Sequence, residues 1–168
     1  MARIPVADDH WLTADQLHAW KQLIAVVELL PGALETQLRR DSALTHFEYF
    51  TLAMLSEAPD RTLRMTELAA RTNSTLARLS HVVSRLEERG LVRREPCQTD
   101  RRATNAVLTA VGWDAVVDAA PGHVANVRDL VIGPLSDEDV ADLDRITARI
   151  LRRLDPDSVL TGRTDGMA

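Results

Sequence analysis

The sequence predicts a mainly α-helical fold, a winged helix-turn-helix carried between N- and C-terminal dimerisation helices. Three observations predict it. Apolar residues recur at helical spacing through both ends of the 168 residues. In the middle, two short helical segments are separated by a polar turn, and the second stops at Gly90. Directly after it, two β-forming runs are joined by a turn that contains proline and is flanked by arginines, which places a hairpin where a wing would stand.

Residues 1–10 carry no period and are expected to form a flexible arm. From Trp11 to Leu38, the residues Leu17, Trp20, Leu23, Ile24, Val27, Leu30, Leu34 and Leu38 follow the helical repeat. Pro31-Gly32 lies inside this run and either kinks the helix or divides it, because proline lacks a backbone donor and clashes with the preceding turn. Residues 11–44 form the N-terminal dimerisation region in this reading. A second helix fits Thr45 to Glu57, apolar at Phe47, Phe50, Leu52, Ala53 and Leu55 and stopped by Ala58-Pro59-Asp60. Thr66 is expected to cap a short helix from Glu67 to Arg71.

After Thr72-Asn73 the next helix starts at Ser74 or its neighbour and runs to Arg89, with Gly90 supplying the left-handed conformation that ends it. Leu91 to Arg94 and Ala103 to Leu108 read as strands, with Glu95 to Arg101 as the hairpin tip. The winged unit therefore spans residues 45–108. Thr109 is placed to cap a long helix through Val131, which Pro121-Gly122 should bend or break. Ser136 with Asp139 reads as a capping box with Asp in place of the usual Glu, opening a last helix to about Leu154. Residues 109–155 are the C-terminal dimerisation helices, and 156–168 read as a disordered tail.

The formal charge of −5 conceals a division. Between Arg64 and Arg102 nine arginines face five acidic residues, a net +4 that leaves −9 for the remainder. A basic middle between acidic flanks suits local attraction to a phosphate backbone. Nineteen of the twenty basic residues are Arg, with Lys21 the exception, and the guanidinium fork matches phosphate oxygens and guanine edges.

On the helix that ends at Arg89, Leu76, Leu79, Val82 or Val83, and Leu86 share the stripe expected to pack inward. Ser74, Thr75, Arg78, His81 and Arg85 lie on the other side and are candidates for base edges and phosphate. In the hairpin, Arg93, Arg94, Arg101 and Arg102 crowd their charges unless anions meet them. A wing lying along a duplex supplies those anions, and Arg94, Arg101 and Arg102 join the candidate DNA contacts. Asp100 would be repelled by phosphate, so its place is to orient a neighbouring arginine and hold the hairpin turn.

The run Leu68-Ala69, Leu79-Ser80, Val83-Ser84-Arg85-Leu86-Glu87-Glu88-Arg89-Gly90-Leu91-Val92-Arg93-Arg94, then Asp100-Arg101-Arg102 and Leu108-Thr109-Ala110-Val111-Gly112, resembles the MarR family of bacterial regulators over roughly residues 12–154. The resemblance implies a homodimeric transcriptional regulator of double-stranded DNA with one recognition helix, about Thr75 to Arg89, in each of two successive major grooves of a near-palindromic operator. It implies Asp100 and Arg102 as the wing pair, with Arg102 favoured for the minor groove. Repression relieved by a small effector is the expected mode.

Dimerisation falls to the terminal helices, with Leu17, Leu23, Val124, Val127, Leu143, Ile146 and Ile150 as candidates. A small anionic or aromatic effector is expected where those helices meet the DNA-binding lobe. Trp11, His18, Trp20, His46, Phe47, Phe50 and His123 are candidate lining residues, and Arg39, Arg40 or Arg71 could pair with an anion. Cys97, the single cysteine, excludes an internal disulfide and falls in the wing, where Arg93 or Arg94 could depress its pKa; a structural role is the simpler reading.

No H-x-x-x-H pair, Gly-rich phosphate loop or G-x-S-x-G elbow is present, so the residues do not describe an enzyme, and neither a metal nor a cofactor is expected. Asp8, Asp9 and His10 lack partner ligands on a common element. Without a basic-apolar leader or a membrane-length apolar run, the expected location is the cytoplasm. The residues alone leave open a helical protein-interaction module, or an activator on the same fold.

Overall fold

A computed structural model describes residues 11–100 and 102–160. The predicted arm at residues 1–10, residue Arg101 and the end of the predicted tail, 161–168, lie outside the described residues. Helix α1 spans Ala14–Ser42 and opens with a capping box: the Thr13 hydroxyl accepts the Gln16 N–H while the Gln16 side chain accepts the Thr13 N–H. Pro31 lies inside α1 without dividing it. Only the C-terminal part of the helix is buried, at Leu34, Gln37 and Leu38, and its first half stands clear of the body.

Helix α2, His46–Ser56, begins with a second capping box between Thr45 and Glu48 and buries Thr51, Leu52 and Leu55. The chain then passes through Asp60 and Arg61, both at positive φ, into strand β1, Thr62–Arg64. This strand is too short to show a period and was not expected. Helix α3, Met65–Arg71, follows at once, so Thr66 is not its cap. Arg64 occupies that position without a side-chain hydrogen bond, because the strand delivers the backbone already extended.

Helix α4, Leu76–Glu88, has Thr75 as its cap and buries Leu79, Val82, Val83 and Leu86. Leu76 departs from the expected stripe and is exposed, since it occupies the first turn ahead of the buried positions. Gly90 takes φ +71, as the end of that helix requires. Strands β2, Val92–Pro96, and β3, Thr104–Leu108, form the wing, and β1 adds to its other side, giving an antiparallel sheet in the order β1-β3-β2. The register places Leu63 opposite Ala106 and Arg94 opposite Ala106 on the other side.

Helix α5, Ala110–Val127, runs unbroken through Pro121 and passes into a wide five-residue turn, Arg128–Ile132. Helix α6, Asp137–Leu154, opens with the Ser136–Asp139 capping box. Residues 156–160 of the predicted tail form turns, tied to Asp155, whose carboxylate accepts the Val159 and Leu160 amides at 2.9 and 2.8 Å. The core lies between α2, α3, α4 and the sheet, joined by Leu38, Leu44, Val116 and Ala119. By contrast no residue of α6 is buried. None of the described helices is long and apolar enough to cross a membrane.

Candidate nucleic-acid interface

Helix α4 is fixed by its buried stripe, and that leaves Thr75, Arg78, His81 and Arg85 exposed. The Thr75 hydroxyl accepts the Arg78 N–H at 3.2 Å and keeps its own hydrogen for a second acceptor such as phosphate. Ser74 is half-buried, its hydroxyl 3.1 Å from that of Thr72, so it supports the turn between the two helices as much as the exposed face.

Arg78 and Arg85 have fixed surroundings. The Arg78 guanidinium lies over the Phe47 ring, 4.5 Å from its centroid. Arg85 approaches Glu48, with Nη2 3.4 Å from Oε1, rather than its own helix neighbours Glu87 or Glu88. Arg89 approaches the other Glu48 oxygen at 3.9 Å. Glu48 is itself buried and was not singled out in the sequence, although Thr45-x-x-Glu48 has the capping-box pattern.

The wing arginines are less crowded by like charge than their number suggests. Arg93 pairs with Glu95. Arg94, expected at phosphate, is instead turned toward α4: its Nε donates to Glu87 at 3.0 Å and its Nη2 to Ser84 at 2.5 Å. The same Glu87 carboxylate accepts the Arg94 amide at 2.9 Å, and these bonds hold its carboxyl below the usual range. Arg102 is exposed and makes no ion pair among the described residues. Asp100 organises the tip: its carboxylate accepts the Arg102 amide at 3.0 Å, and its carbonyl accepts the Ala103 amide at 2.9 Å. Between α4 and the wing lies a cavity of about 240 Å³, lined among others by Leu76, Ser80, Arg94 and Arg102.

Cys97 is buried in the tip with its sulfur 3.3 Å from the Thr99 hydroxyl. That hydroxyl, the amides of Thr99 and Asp100 and the charge of Arg64 bring its pKa down to about 7. Arg64, not Arg93 or Arg94, is the arginine responsible, and it also donates to Thr99 at 3.2 Å.

The residues expected around an effector occupy separate places within the chain. Trp11, His18 and Trp20 are exposed along or just before the first half of α1. Within α2, His46 and Phe50 stack with centroids 6.4 Å apart. Phe47 sits beneath Arg78, and Arg71 pairs with Glu67 at 2.8 Å. Where α1, α2 and α5 meet, the Tyr49 and His123 rings approach to 4.6 Å. Gln37 Oε1, His123 Nδ1 and Asn126 Nδ2 are buried there without partners among the described residues. Burial lowers the pKa of both His46 and His123.

Of the candidate dimer residues, Leu17, Leu23, Val124, Leu143, Ile146 and Ile150 are exposed, and Val127 is half-buried. A further cavity of about 490 Å³ between α1 and the segment leading into α6 is lined by Val26, Leu29, Leu30, Leu130, Leu135 and Leu143, among others. None of the seven expected effector residues lines it.

The helix-turn-helix and wing have counterparts among known proteins. Residues 44–103 match a MarR family model. Sco3205 of Streptomyces coelicolor, a MarR family transcriptional regulator in complex with DNA, is 42% identical with a TM-score of 0.84, over 89% of this chain and 93% of that one. AbsC, a MarR family transcriptional regulator of the same organism, is 40% identical with a TM-score of 0.81, over 86% and 97% of the two chains. The HTH-type transcriptional regulator PecS of Dickeya dadantii is 35% identical over 82 residues, 49% of this chain and 47% of PecS. The match thus spans about half the length of that protein. These relatives are regulators of transcription rather than enzymes. Since two of them share at least 40% of their residues with this chain and keep its fold over nearly their whole length, the chain belongs to the MarR family of transcriptional regulators.

Proposed function

We propose that the protein is a homodimeric cytoplasmic repressor that grips a near-palindromic operator and lets go when a small anionic or aromatic molecule binds. One observation carries the dimer. Helix α6 has an apolar stripe, Leu143, Ile146, Ile150 and Leu154, with none of these residues buried, and Leu17, Trp20, Leu23 and Val27 are likewise exposed on α1. Uncovered apolar residues in this number are better matched by a second copy than by water. Pairing would present two α4 helices, and doubling the phosphate contacts supplies affinity that one small winged unit lacks.

In this reading Thr75, Arg78, His81 and Arg85 face the major groove. Arg102, with Arg101 beside it in sequence, addresses the flanking minor groove. Ser74 and Arg94 act mainly by holding that surface together. The effector enters at the junction of α1, α2 and α5, where the unpartnered atoms of Gln37, His123 and Asn126 offer both donors and acceptors. Trp11, His18 and Trp20, exposed on and just before the first half of α1, lie apart from that junction within the chain.

Sedimentation and footprinting of the full chain test the proposal together. The expected result is a dimer protecting two half-sites about 10 base pairs apart, with Leu143→Glu giving a monomer and at least about a hundredfold weaker operator binding. A monomer that protects a single half-site overturns it.

A further inference from the structure

We infer that Phe47 and Glu48, consecutive residues of α2, are positioning residues that set the arginines of α4 for DNA before DNA arrives. The inference rests on the reading of Arg78 and Arg85 as DNA contacts. Phe47 offers its ring face to Arg78 at 4.5 Å, and Glu48 offers one oxygen to Arg85 at 3.4 Å and the other to Arg89 at 3.9 Å. A ring face is no hydrogen-bond partner of ordinary strength, so the contact holds the Arg78 guanidinium in place while its N–H donors stay free for DNA. Likewise the carboxylate meets one edge of the Arg85 fork, and the side chain remains 57% exposed for a second acceptor.

A free surface arginine surrenders rotamer freedom when it engages a base edge. Side chains already held near the bound geometry surrender less, and the saving falls on the specific complex, where the geometry must be met. A mobile arginine serves as well as a held one against phosphate alone.

Capping does not explain why the buried residue is charged. Glu48 accepts the Thr45 N–H at 2.8 Å as the third residue of its capping box. A glutamine performs the same task in this chain, where Gln16 accepts the Thr13 N–H at 2.9 Å at the start of α1. Burying a carboxylate is costly unless cations and donors compensate it. Arg85 and Arg89 are the cations it meets.

The test uses the full-length chain in its Glu48→Gln and Phe47→Leu forms. Glutamine keeps the capping box with its one oxygen and turns its NH2 group toward Arg85, and leucine stays apolar without a ring face for Arg78, so each removes the contact to its DNA-facing arginine. Binding is measured to a duplex enriched from a random pool by the wild-type chain and to a scrambled duplex of equal length. The expected result is a ratio of the two affinities reduced about tenfold in each variant, with scrambled-duplex binding unchanged or slightly tighter for Glu48→Gln. Adding Glu48→Gln to Arg85→Ala is expected to bring no further loss.

An unchanged ratio in both variants overturns the inference. Equal tightening on both duplexes in Glu48→Gln makes that carboxylate a mere counter-charge and also overturns its part. If Arg85→Ala and Arg78→Ala keep the wild-type ratio, the contact reading itself has failed; if they lose it while the α2 variants do not, only the positioning role has failed. Thermal melting accompanies each variant, and Phe47→Leu decides the matter should Glu48→Gln not fold.

Discussion

Glu87 and Arg94 join the wing to α4 at both backbone and side chain: one carboxylate accepts the Arg94 amide at 2.9 Å and its Nε at 3.0 Å. A wing is a thin ribbon, and its angle to the neighbouring helix decides whether both can follow a duplex together. Two bonds to one carboxylate define that angle better than a single ion pair would. Ser84, one turn before Glu87, accepts from the Nη2 nitrogen of the same guanidinium. The wing base is thereby referenced to the same helix that carries Arg78 and Arg85, on the flank opposite to theirs.

Glu87→Ala is expected to change stability little, by about 0.5 kcal/mol, because both side chains are partly exposed and such pairs are screened. Operator affinity should fall more, about tenfold, since the released wing must be ordered again on DNA. Chemical denaturation and a binding titration on the same variant separate the two effects. A loss of stability without a loss of affinity would contradict the geometric role.

Arg102 and Arg78 should fail in different ways. Arg102 is exposed at the wing tip, beside a turn stapled by Asp100, and is proposed to meet the minor groove and its phosphates. Arg102→Ala is expected to lower the salt slope of binding by about one and to erase preference for A·T-rich flanks. Arg78→Ala should relax discrimination at one base position in each half-site, by about tenfold. Titrations at several salt concentrations against a set of single-base operator variants distinguish the two patterns.

The legible parts of this chain were those whose causes are local. Gly90 and Thr109 end and begin helices through their own backbone or hydroxyl, and Ser136 with Asp139 closes a box within four residues. Leu79, Val82, Val83 and Leu86 follow from helical repeat alone. What escaped depends on pairings distant in sequence. Strand β1 exists because Leu63 finds Ala106 across the sheet, and three residues have no period of their own. Arg85 has Glu87 and Glu88 beside it in sequence, whereas its partner Glu48 comes from α2, brought close by packing. Arg94 was given to phosphate because charge density does not reveal that Glu87, seven residues earlier, lies under the strand. For an effector site, aromatic residues and histidines gave only candidates: Trp20 and Phe50 look alike in sequence, yet of the two only Phe50 is partly enclosed by the chain.

Cys97 leads to a pH dependence with a definite sign. Its pKa is drawn from about 9 to about 7, chiefly by the Thr99 hydroxyl and then by backbone amides of the hairpin tip. A depressed folded-state value means that folding favours the thiolate. The stabilisation is complete above the ordinary thiol range and is lost as pH falls through about 7. Thiolate ultraviolet absorption should therefore titrate near neutrality in the folded chain and near the ordinary value in denaturant. Thr99→Val should move the folded titration upward, and a titration that stays in place would remove the hydroxyl from the explanation.

Gly112 gives the last prediction, and it concerns the joint between wing and α5. Thr109 donates its hydroxyl hydrogen toward the Gly90 and Leu91 carbonyls at 2.6 and 3.1 Å and accepts the Gly112 amide at 3.0 Å. The turn after α4, the last strand and the first turn of α5 therefore converge on one hydroxyl. Convergence this close leaves no room for a side chain at residue 112. A Cβ there would overlap the Leu91 carbonyl oxygen and stand 2.7 Å from Leu108 Cδ1. Backbone cannot yield as a flexible side chain can, so Gly112→Ala should destabilise by about 3 kcal/mol through overpacking, despite the better helix propensity of alanine. Gly122→Ala is the control, because the nearest atom to its Cβ is the Gln37 side-chain nitrogen at 3.0 Å, which can shift. Denaturant midpoints should fall sharply for Gly112→Ala and little for Gly122→Ala. Equal midpoints would mean that α5 can slide away from the wing without penalty.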